Sequence, residues 1–543
     1  MGQPVAQTLR AATGVRRAVI LCLGCVTAFL LFSIGIDTIP VTDRDEARFA
    51  QASKQMAVSG DYIDIRFQDR PRHKKPVGIY WAQTLAAHVT GTVGGSDIWV
   101  YRLPSVLAAS VACIALYWAG LPLVGSLAAF AAALMLASTF LVHVEARIAK
   151  TDATLLFATI VAMGALARVW LNGAQGWRVP AVFWTATAAG ILVKGPLILL
   201  PILGAVLLVS LVARDYRWLA GLRPLFGLAW LLVLVLPWYG LIIAATDGAF
   251  LAASLGQDLF AKVGSAQESH GAPPGSYIAA FWLTAWPWCV LAPAAAVLAY
   301  TRRKDPKVLF LIGWILPMWL VLELVPTKLL HYPLPVYPAI FLLSAAALAH
   351  PLPRASVHGG AALACLAALV LAGVAIAGPA QYGEGLASAA AVAAVIACAS
   401  VVYGTLSLYR ANLPHALTGL AIGGVLMPLG VLTLALPNMT EFWVSERLAR
   451  ATHCHSGPLY LVGYSEPSAV FRVGTDIILT TKDVALTGLA ADAEATAWIA
   501  VDAAETDQTI RGFNYSNGTP VVLQRYEAPG TPSNTPLCRS LPE

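Results

Sequence analysis

The chain has 543 residues, is 58% hydrophobic and 12% charged, and carries a formal net charge of +6 with a mean hydropathy of +0.70. Charge this sparse beside apolar runs this long excludes a soluble core and marks a polytopic α-helical membrane protein. The modest positive balance suits membrane orientation and phosphate contact, and no nucleic-acid motif accompanies it.

The first apolar run follows Arg10, Arg16 and Arg17 and lacks a small-residue cleavage site before Thr42. It reads as a retained first span, with a cleaved signal peptide as the alternative. Stretches long enough to cross a hydrocarbon core of about 30 Å then recur. With the first they lie at 18–40, 98–121, 125–144, 153–171, 179–194, 196–213, 224–245, 277–300, 307–325, 333–350, 358–378, 386–408 and 415–437, about thirteen in all. With the N-terminus in the cytoplasm, alternate loops carry Arg178; Arg214, Arg217 and Arg223; Arg302, Arg303, Lys304 and Lys307; Arg354; and Arg410. That is the positive-inside pattern. The opposite face receives residues 41–97, 145–152, the turn at Lys194-Gly195-Pro196, 246–276, 326–332, 379–385 and everything after 437.

The loop at 41–97 departs from that pattern, crowding fourteen charged side chains into residues 43–75. Thr42 or Asp43 can cap a helix, with Asp45 or Glu46 three residues on. Residues 45–59 contain no Gly or Pro, and Gly60 closes the segment. Phe49, Ala52 and Met56 share one helical face, which predicts a helix lying along the membrane surface with that face down. The run RPRHKKP brings Arg70, Arg72, Lys74 and Lys75 to the same interface, just before Tyr80 and Trp81. Cations and carboxylates meeting at a bilayer surface suit a substrate with a charged head and a lipid tail. A purely interfacial anchor with a solvated charged face is the plainer reading.

The predicted domains are therefore 1–437, in the membrane, and 438–543, a small soluble α/β domain outside it. In the latter DIILTTKDVALTG, WIAVDA and GTPVVLQRYE read as short strands. Cys22, Cys25, Cys113, Cys289, Cys365 and Cys398 lie in apolar runs and pack as small hydrophobes. Cys454 and Cys538 lie in the polar C-terminal part, where a disulfide is favoured over a metal site at His453, Cys454 and His455, because no second ligand cluster accompanies these.

The ordered set DxDEARFA, GDY, KKPVGIYWAQ, RLPS, ARIAKTDATLLF, LVKGP, PWY, H-x-x-PP and TKLLHYPLPVYPA resembles the lipid A aminoarabinose transferases. These are grouped with the protein O-mannosyltransferase-like enzymes of the GT-C glycosyltransferase superfamily. The resemblance covers roughly residues 15–440; each piece alone is weak, and their order carries it. It implies a GT-C fold and an inverting transfer of sugar from a polyprenyl-phosphate donor to a glycolipid acceptor at the periplasmic face of the bacterial inner membrane. Lipid A or the lipopolysaccharide core is the implied acceptor and 4-amino-4-deoxy-L-arabinose one candidate sugar. Asp45, Glu46 and Asp152 take the catalytic positions. Arg48, Lys75, Lys194, His270, Lys328 and Tyr332 take the substrate-binding ones, with His331 a second imidazole nearby.

Each residue has a structural alternative: helix capping for Asp45, pairing with Arg147 or Lys150 for Asp152, and snorkelling to the interface for the lysines. Close relatives carry Glu-Lys-Pro where this chain has Lys74-Lys75-Pro76. An ammonium offers donors only and repels a divalent cation, so no metal is expected at His270 and no cofactor beyond the donor itself. Transfer of a mannosyl or uronosyl group to protein hydroxyls or another polysaccharide is the alternative within enzymes. A lipid flippase or transporter is the alternative outside them, and it is disfavoured because ionisable groups gather at one face and not at mid-span. The expected partners are the polyprenyl-linked sugar, a glycolipid acceptor and membrane lipids, with a monomer as the working unit.

Overall fold

The protein is described by a computed structural model, covering residues 19, 21–42, 44–173, 176–254, 271–502, 508–515 and 517–527, with the backbone of 531–532. Among these, eight helices are long and apolar enough to cross a membrane. The pair Ser276–Thr284 and Trp288–Thr301, bent by 119°, makes a ninth if counted as one crossing. The thirteen expected spans are not all separate long helices. Those at 18–40 and 333–350 appear as the shorter apolar helices α1 (Leu21–Ser33) and Leu334–Ala347. The expected pairs on either side of residues 125 and 195 run on within Ile98–Ala137 and Arg178–Ala213. The reason is local. The breaks there are short and start at glycine: Gly125, at φ +80°, parts α4 (Ile98–Val124) from α5 (Ser126–Ala137), while Gly195, at φ +67°, ends α8 (Arg178–Lys194) before a four-residue 3-10 turn and α9 (Leu199–Ala213).

Apolar side chains gain little by leaving lipid for protein, so packing between spans relies on close approach of small residues. The helices Ser388–Tyr409 and Leu413–Pro428 show this: a Cβ on Gly419 would lie 2.8 Å from the Gly404 backbone, and one on Gly404 2.8 Å from Leu420 N. One continuous apolar core runs from Ala28 in α1 to Met439.

The first loop forms α2 (Arg44–Ser59), a two-residue β1–β2 ladder (Arg66–Phe67 with Arg70–Pro71) and α3 (Gly78–Thr90). Helix α2 ends as expected, with Gly60 at φ +72° and its N–H donating to Met56 O at 3.1 Å. Its apolar stripe does not rest on lipid, which corrects the surface-helix expectation. Phe49, Ala52 and Met56 pack with Val77, Ile79 and Tyr80 and with Trp238 and Ile242 of α10 (Pro224–Ala245). The polar face is covered as well, by α3 and by the C-terminal unit.

Glu46 and Arg102 tie this loop to the bundle. Both are 0% exposed, and Arg102 Nε and Nη2 donate to the two Glu46 oxygens at 2.8 and 3.0 Å. The remaining Arg102 N–H groups donate to Ile36 O, Ile39 O and Pro40 O at 2.8, 2.6 and 2.9 Å, so all five guanidinium donors are used. Glu46 also accepts from Thr42 N at 3.1 Å and Ala149 N at 2.9 Å. The segment before α7 (Asp152–Asn172) is pinned further, with Gln83 Nε2 donating to Ala149 O at 3.1 Å and Ser105 Oγ to Lys150 O at 3.3 Å.

The C-terminal unit carries a sheet in the order β4-β3-β5-β7-β6, with β8 (Thr531–Pro532) pairing β7. Strands β3 (Leu459–Val462), β4 (Ile478–Thr480) and β5 (Thr496–Ala500) are parallel, whereas β5, β7 (Pro520–Glu527) and β6 (Thr509–Phe513) are antiparallel. Helices Pro467–Val473 and Lys482–Ala491 make the crossovers that parallel strands require. The second half of DIILTTKDVALTG is thus helix, not strand. This unit grips α2. Arg44 Nε lies 3.2 Å from Glu466 Oε2, Gln51 Nε2 donates to Thr475 Oγ1 at 2.8 Å, and Gln68 Nε2 donates to Thr475 O and Ile477 O at 2.9 and 2.8 Å. Phe471 is fully buried against Tyr101, 5.5 Å between rings.

Two outcomes follow from these anchors. Arg102→Met leaves the buried Glu46 carboxylate uncompensated and costs about 3–5 kcal/mol, whereas the Glu46→Leu, Arg102→Met double variant loses less; melting temperatures of detergent-purified protein test the ordering. Gln68→Ala, which removes both contacts to the 475–477 backbone, raises amide hydrogen exchange in residues 44–59 and 475–477 and leaves distant spans such as Arg354–Tyr382 unchanged.

Candidate active site

Two clusters of charge meet at one end of the bundle. The first is centred on Asp45, in the first turn of α2, where the helix dipole favours an anion. Its Oδ1 lies 3.4 Å from Arg48 Nη1 and 3.5 Å from Arg72 Nη2. Arg72 is buried, its guanidinium set over the Phe49 ring at 5.1 Å, while the Asp45 side chain is 48% exposed. Partial burial pushes the Asp45 carboxyl up, but Arg72, Lys150 and Arg48 together outweigh it and hold the group well below the usual carboxylate range. The stability this contributes is therefore complete above the ordinary carboxylate pKa of about 4 and lost only as pH falls below it.

The second cluster is centred on Asp152, the first residue of α7 and 4% exposed. Lys194 Nζ, at the last residue of α8, donates to its Oδ1 at 2.5 Å. The other oxygen, Oδ2, is buried with no hydrogen-bond partner among the described residues. The Lys194 ammonium lies 5.6 Å from the Tyr332 ring centre, and Tyr332 stands edge-on to His331. His331 bridges two carboxylates, with Nε2 3.7 Å from Asp152 Oδ1 and Nδ1 3.7 Å from Glu145 Oε1. Burial lowers the His331 pKa most; Lys150 and Lys194 add to that against Asp152 and Asp45. Since Lys150 acts on Asp45 and His331 feels both aspartates, the clusters share one electrostatic neighbourhood.

Local sequence explains the convergence. A Cβ on Gly78 would lie 2.8 Å from Leu192 O, so KKPVG can abut the end of α8 only with glycine there, and this brings the half-buried Lys75 toward LVKGP. Asp152 does not pair with Arg147, whose guanidinium donates to Leu31 O, Ile34 O and His143 O at the end of α1 and in α6 (Phe140–Ala146).

Two of the expected site residues are engaged elsewhere. Glu46 is sealed in its pair with Arg102. Lys328 donates to Leu322 O, Glu323 O and Val325 O at 2.9, 2.9 and 2.7 Å, so its three N–H groups close the end of Pro306–Leu324 and are not offered to a phosphate. Glu323 likewise accepts from Gly275 N and Ile278 N at the start of Ser276–Thr284. His270 lies outside the described residues. Cys454 is disulfide-bonded, and its expected partner Cys538 also lies outside them.

Arg72, Glu145 and Lys150 were not expected among the site residues; Lys150 stood only as a structural partner for Asp152. Arg72 stood in the RPRHKKP run without distinction from its neighbours, and Glu145 precedes Asp152 by seven residues, a spacing that shows nothing until the intervening turn is known. Glu145, Asp152 and His331 bring ligand-type atoms within 4.8 Å of one another. They fit a divalent metal poorly, because Lys194 already occupies Asp152 Oδ1 and a second ammonium, Lys150, lies in the same field. Positive charge here is supplied by lysine.

A family model described as dolichyl-phosphate-mannose-protein mannosyltransferase matches residues 74–240. Proteins named undecaprenyl phosphate-alpha-4-amino-4-deoxy-L-arabinose arabinosyl transferase are similar to the chain. The one from Pseudomonas paraeruginosa is 29% identical over 340 residues, 60% of each chain. The one from Aeromonas hydrophila is 27% identical over 326 residues, 59% of this chain and 58% of its own. The chain thus matches under two thirds of the length of these relatives. Among solved structures, ArnT from Cupriavidus metallidurans bound to undecaprenyl phosphate superposes with a TM-score of 0.72 at 19% identity, covering 92% of this chain and 97% of that one. The chain is therefore a multi-pass membrane protein with the GT-C fold of ArnT, and in sequence it is similar to the aminoarabinose transferases.

Proposed function

We propose that the protein is an inverting glycosyltransferase that moves a sugar from a polyprenyl-phosphate donor to an envelope glycolipid at the periplasmic face of the bacterial inner membrane, acting as a monomer. One observation carries the reading: a half-exposed carboxylate, Asp45, faces the same neighbourhood as a buried Lys194–Asp152 pair at a single end of a lipid-embedded bundle. The chemistry is a single displacement. The acceptor oxygen bonds to the anomeric carbon as the bond to the donor phosphate breaks, and the phosphate leaves with the electron pair. Lys194 offers Asp152 one N–H and has two more for phosphate oxygens, so the leaving group gains charge where cations already stand. Asp152 holds that ammonium in place, and Arg48 and Lys75 complete the cationic wall around the donor. Tyr332 flanks Lys194 on its apolar side.

The state of Asp45 bears on the acceptor. A carboxylate held ionised by three cations is a weak base, and a hydroxyl acceptor needs a base. A phosphate on a glycolipid arrives already ionised and needs only to be oriented. This favours a phosphate acceptor, such as lipid A carries, with aminoarabinose the leading sugar by similarity to the named transferases. Transfer to protein hydroxyls is the second reading, favoured by the family model over 74–240.

The decisive experiment incubates purified protein with a labelled polyprenyl-phosphate sugar and each acceptor class. Release of polyprenyl phosphate coupled to labelled glycolipid supports the proposal, and movement of the intact donor across liposomes without release refutes it. Asp45→Asn should lower transfer about 100-fold or more while donor binding persists; retained full activity removes Asp45 from the mechanism. Lys194→Gln should lower the rate at limiting donor about 100-fold, and an unchanged rate there clears it of holding the phosphate.

A further inference from the structure

The end of α8 remote from Lys194 carries a second feature that the transfer chemistry does not use. Helix α8 spans 17 residues, so its first turn lies about 25 Å from Lys194 at 1.5 Å per residue, close to the thickness of one hydrocarbon core. There a groove of about 470 Å³ opens between α8 and α10, walled by Trp177, Ala181, Trp184, Phe226, Ala229 and Trp230. The volume falls in the range of small-molecule sites, roughly 300–1,000 Å³. Its indoles are polar only on paper. Trp184 Nε1 donates to Leu222 O at 2.8 Å and Trp230 Nε1 to Thr185 Oγ1 at 3.0 Å, so the ring surfaces left to the groove are hydrocarbon-like. The Trp177 and Phe226 rings meet edge to face at 5.4 Å.

Charge stands beside the groove. Arg223 follows the lining residue Leu222 and lies over the Trp177 ring at 4.1 Å, which fixes its guanidinium beside the groove. Arg178 follows Trp177 and is exposed. Among the described residues neither arginine forms an ion pair, and Asp215, the acid nearest Arg223 in sequence, accepts from the Arg217 backbone N–H at 2.8 Å. An apolar slot ending in two arginines at the level of a bilayer surface has the chemistry of one lipid: a hydrocarbon chain for the aromatic walls and a phosphate for the guanidinium groups.

We propose that this groove is a binding site for one anionic phospholipid of the leaflet opposite the Lys194 end, its acyl chain between Trp184 and Trp230 and its phosphate on Arg178 and Arg223. The site is separate from the transfer chemistry and its test needs no transfer readout. The full-length protein, purified in detergent, is titrated with phosphatidylglycerol or phosphatidylcholine and bound lipid is counted by native mass spectrometry. The wild type should retain one phosphatidylglycerol at least tenfold more tightly than phosphatidylcholine. The Arg178→Ala, Arg223→Ala variant should lose that preference, and Ala229→Trp, which fills the groove, should lose retention of both lipids. Gel filtration and melting temperature confirm that each variant is folded; if Ala229→Trp does not fold, Ala181→Phe tests the same filling. Equal retention of the two lipids by the wild type, or an undiminished preference without the arginines, overturns the proposal. So does displacement of phosphatidylglycerol by polyprenyl phosphate at equal concentration, which would give the groove to the donor tail.

Discussion

A buried carboxylate cannot stay ionised in a membrane-embedded protein unless something meets its charge, and Glu46 is met by a guanidinium that spends every one of its five donors locally. That one pair draws together four pieces distant in sequence: the chain after α1, the start of α2, the turn into α4 and the backbone before α7. Asp45 and Asp152 are where they are because each neighbours a residue in this knot. Burying such a pair costs desolvation that its mutual attraction only partly offsets, so its contribution is geometric more than energetic. It admits one arrangement of the first loop on the bundle and penalises the others.

The two aspartates then differ through surroundings and not through type. Asp45 remains half-exposed and surrounded by arginines, which hold it ionised and leave it a poor proton acceptor. Asp152 is sealed beneath Lys194 and His331, where it orients an ammonium. The charges that meet both aspartates come from arginine and lysine side chains.

The C-terminal unit belongs to this arrangement. Its contacts fall on α2 through Arg44, Gln51 and the loop residue Gln68, so the helix bearing Asp45 is clamped from above by hydrogen bonds and from below by apolar packing against α10. A helix with a hydrophobic stripe and a glutamine-rich opposite face would be expected to lie at a bilayer surface. Here both faces are buried in protein, because a second domain supplies the polar partners that water would otherwise have supplied.

Much was legible from residue order. Long apolar runs dictated spans because lipid leaves backbone groups no partner outside a helix. The acid pair after the first span, the helix closed by Gly60 and the small α/β unit after residue 438 followed from local rules that hold regardless of tertiary context. What folding alone decided was pairing. Asp45 and Glu46 are adjacent carboxylates with the same local propensity, and only burial beside Arg102 makes one structural and leaves the other accessible. Lys194 and Lys328 both stand at span ends, yet one finds a carboxylate and the other three carbonyls. Charge–charge energies depend on distance and solvent access across hundreds of residues, and neither quantity is written in the local sequence.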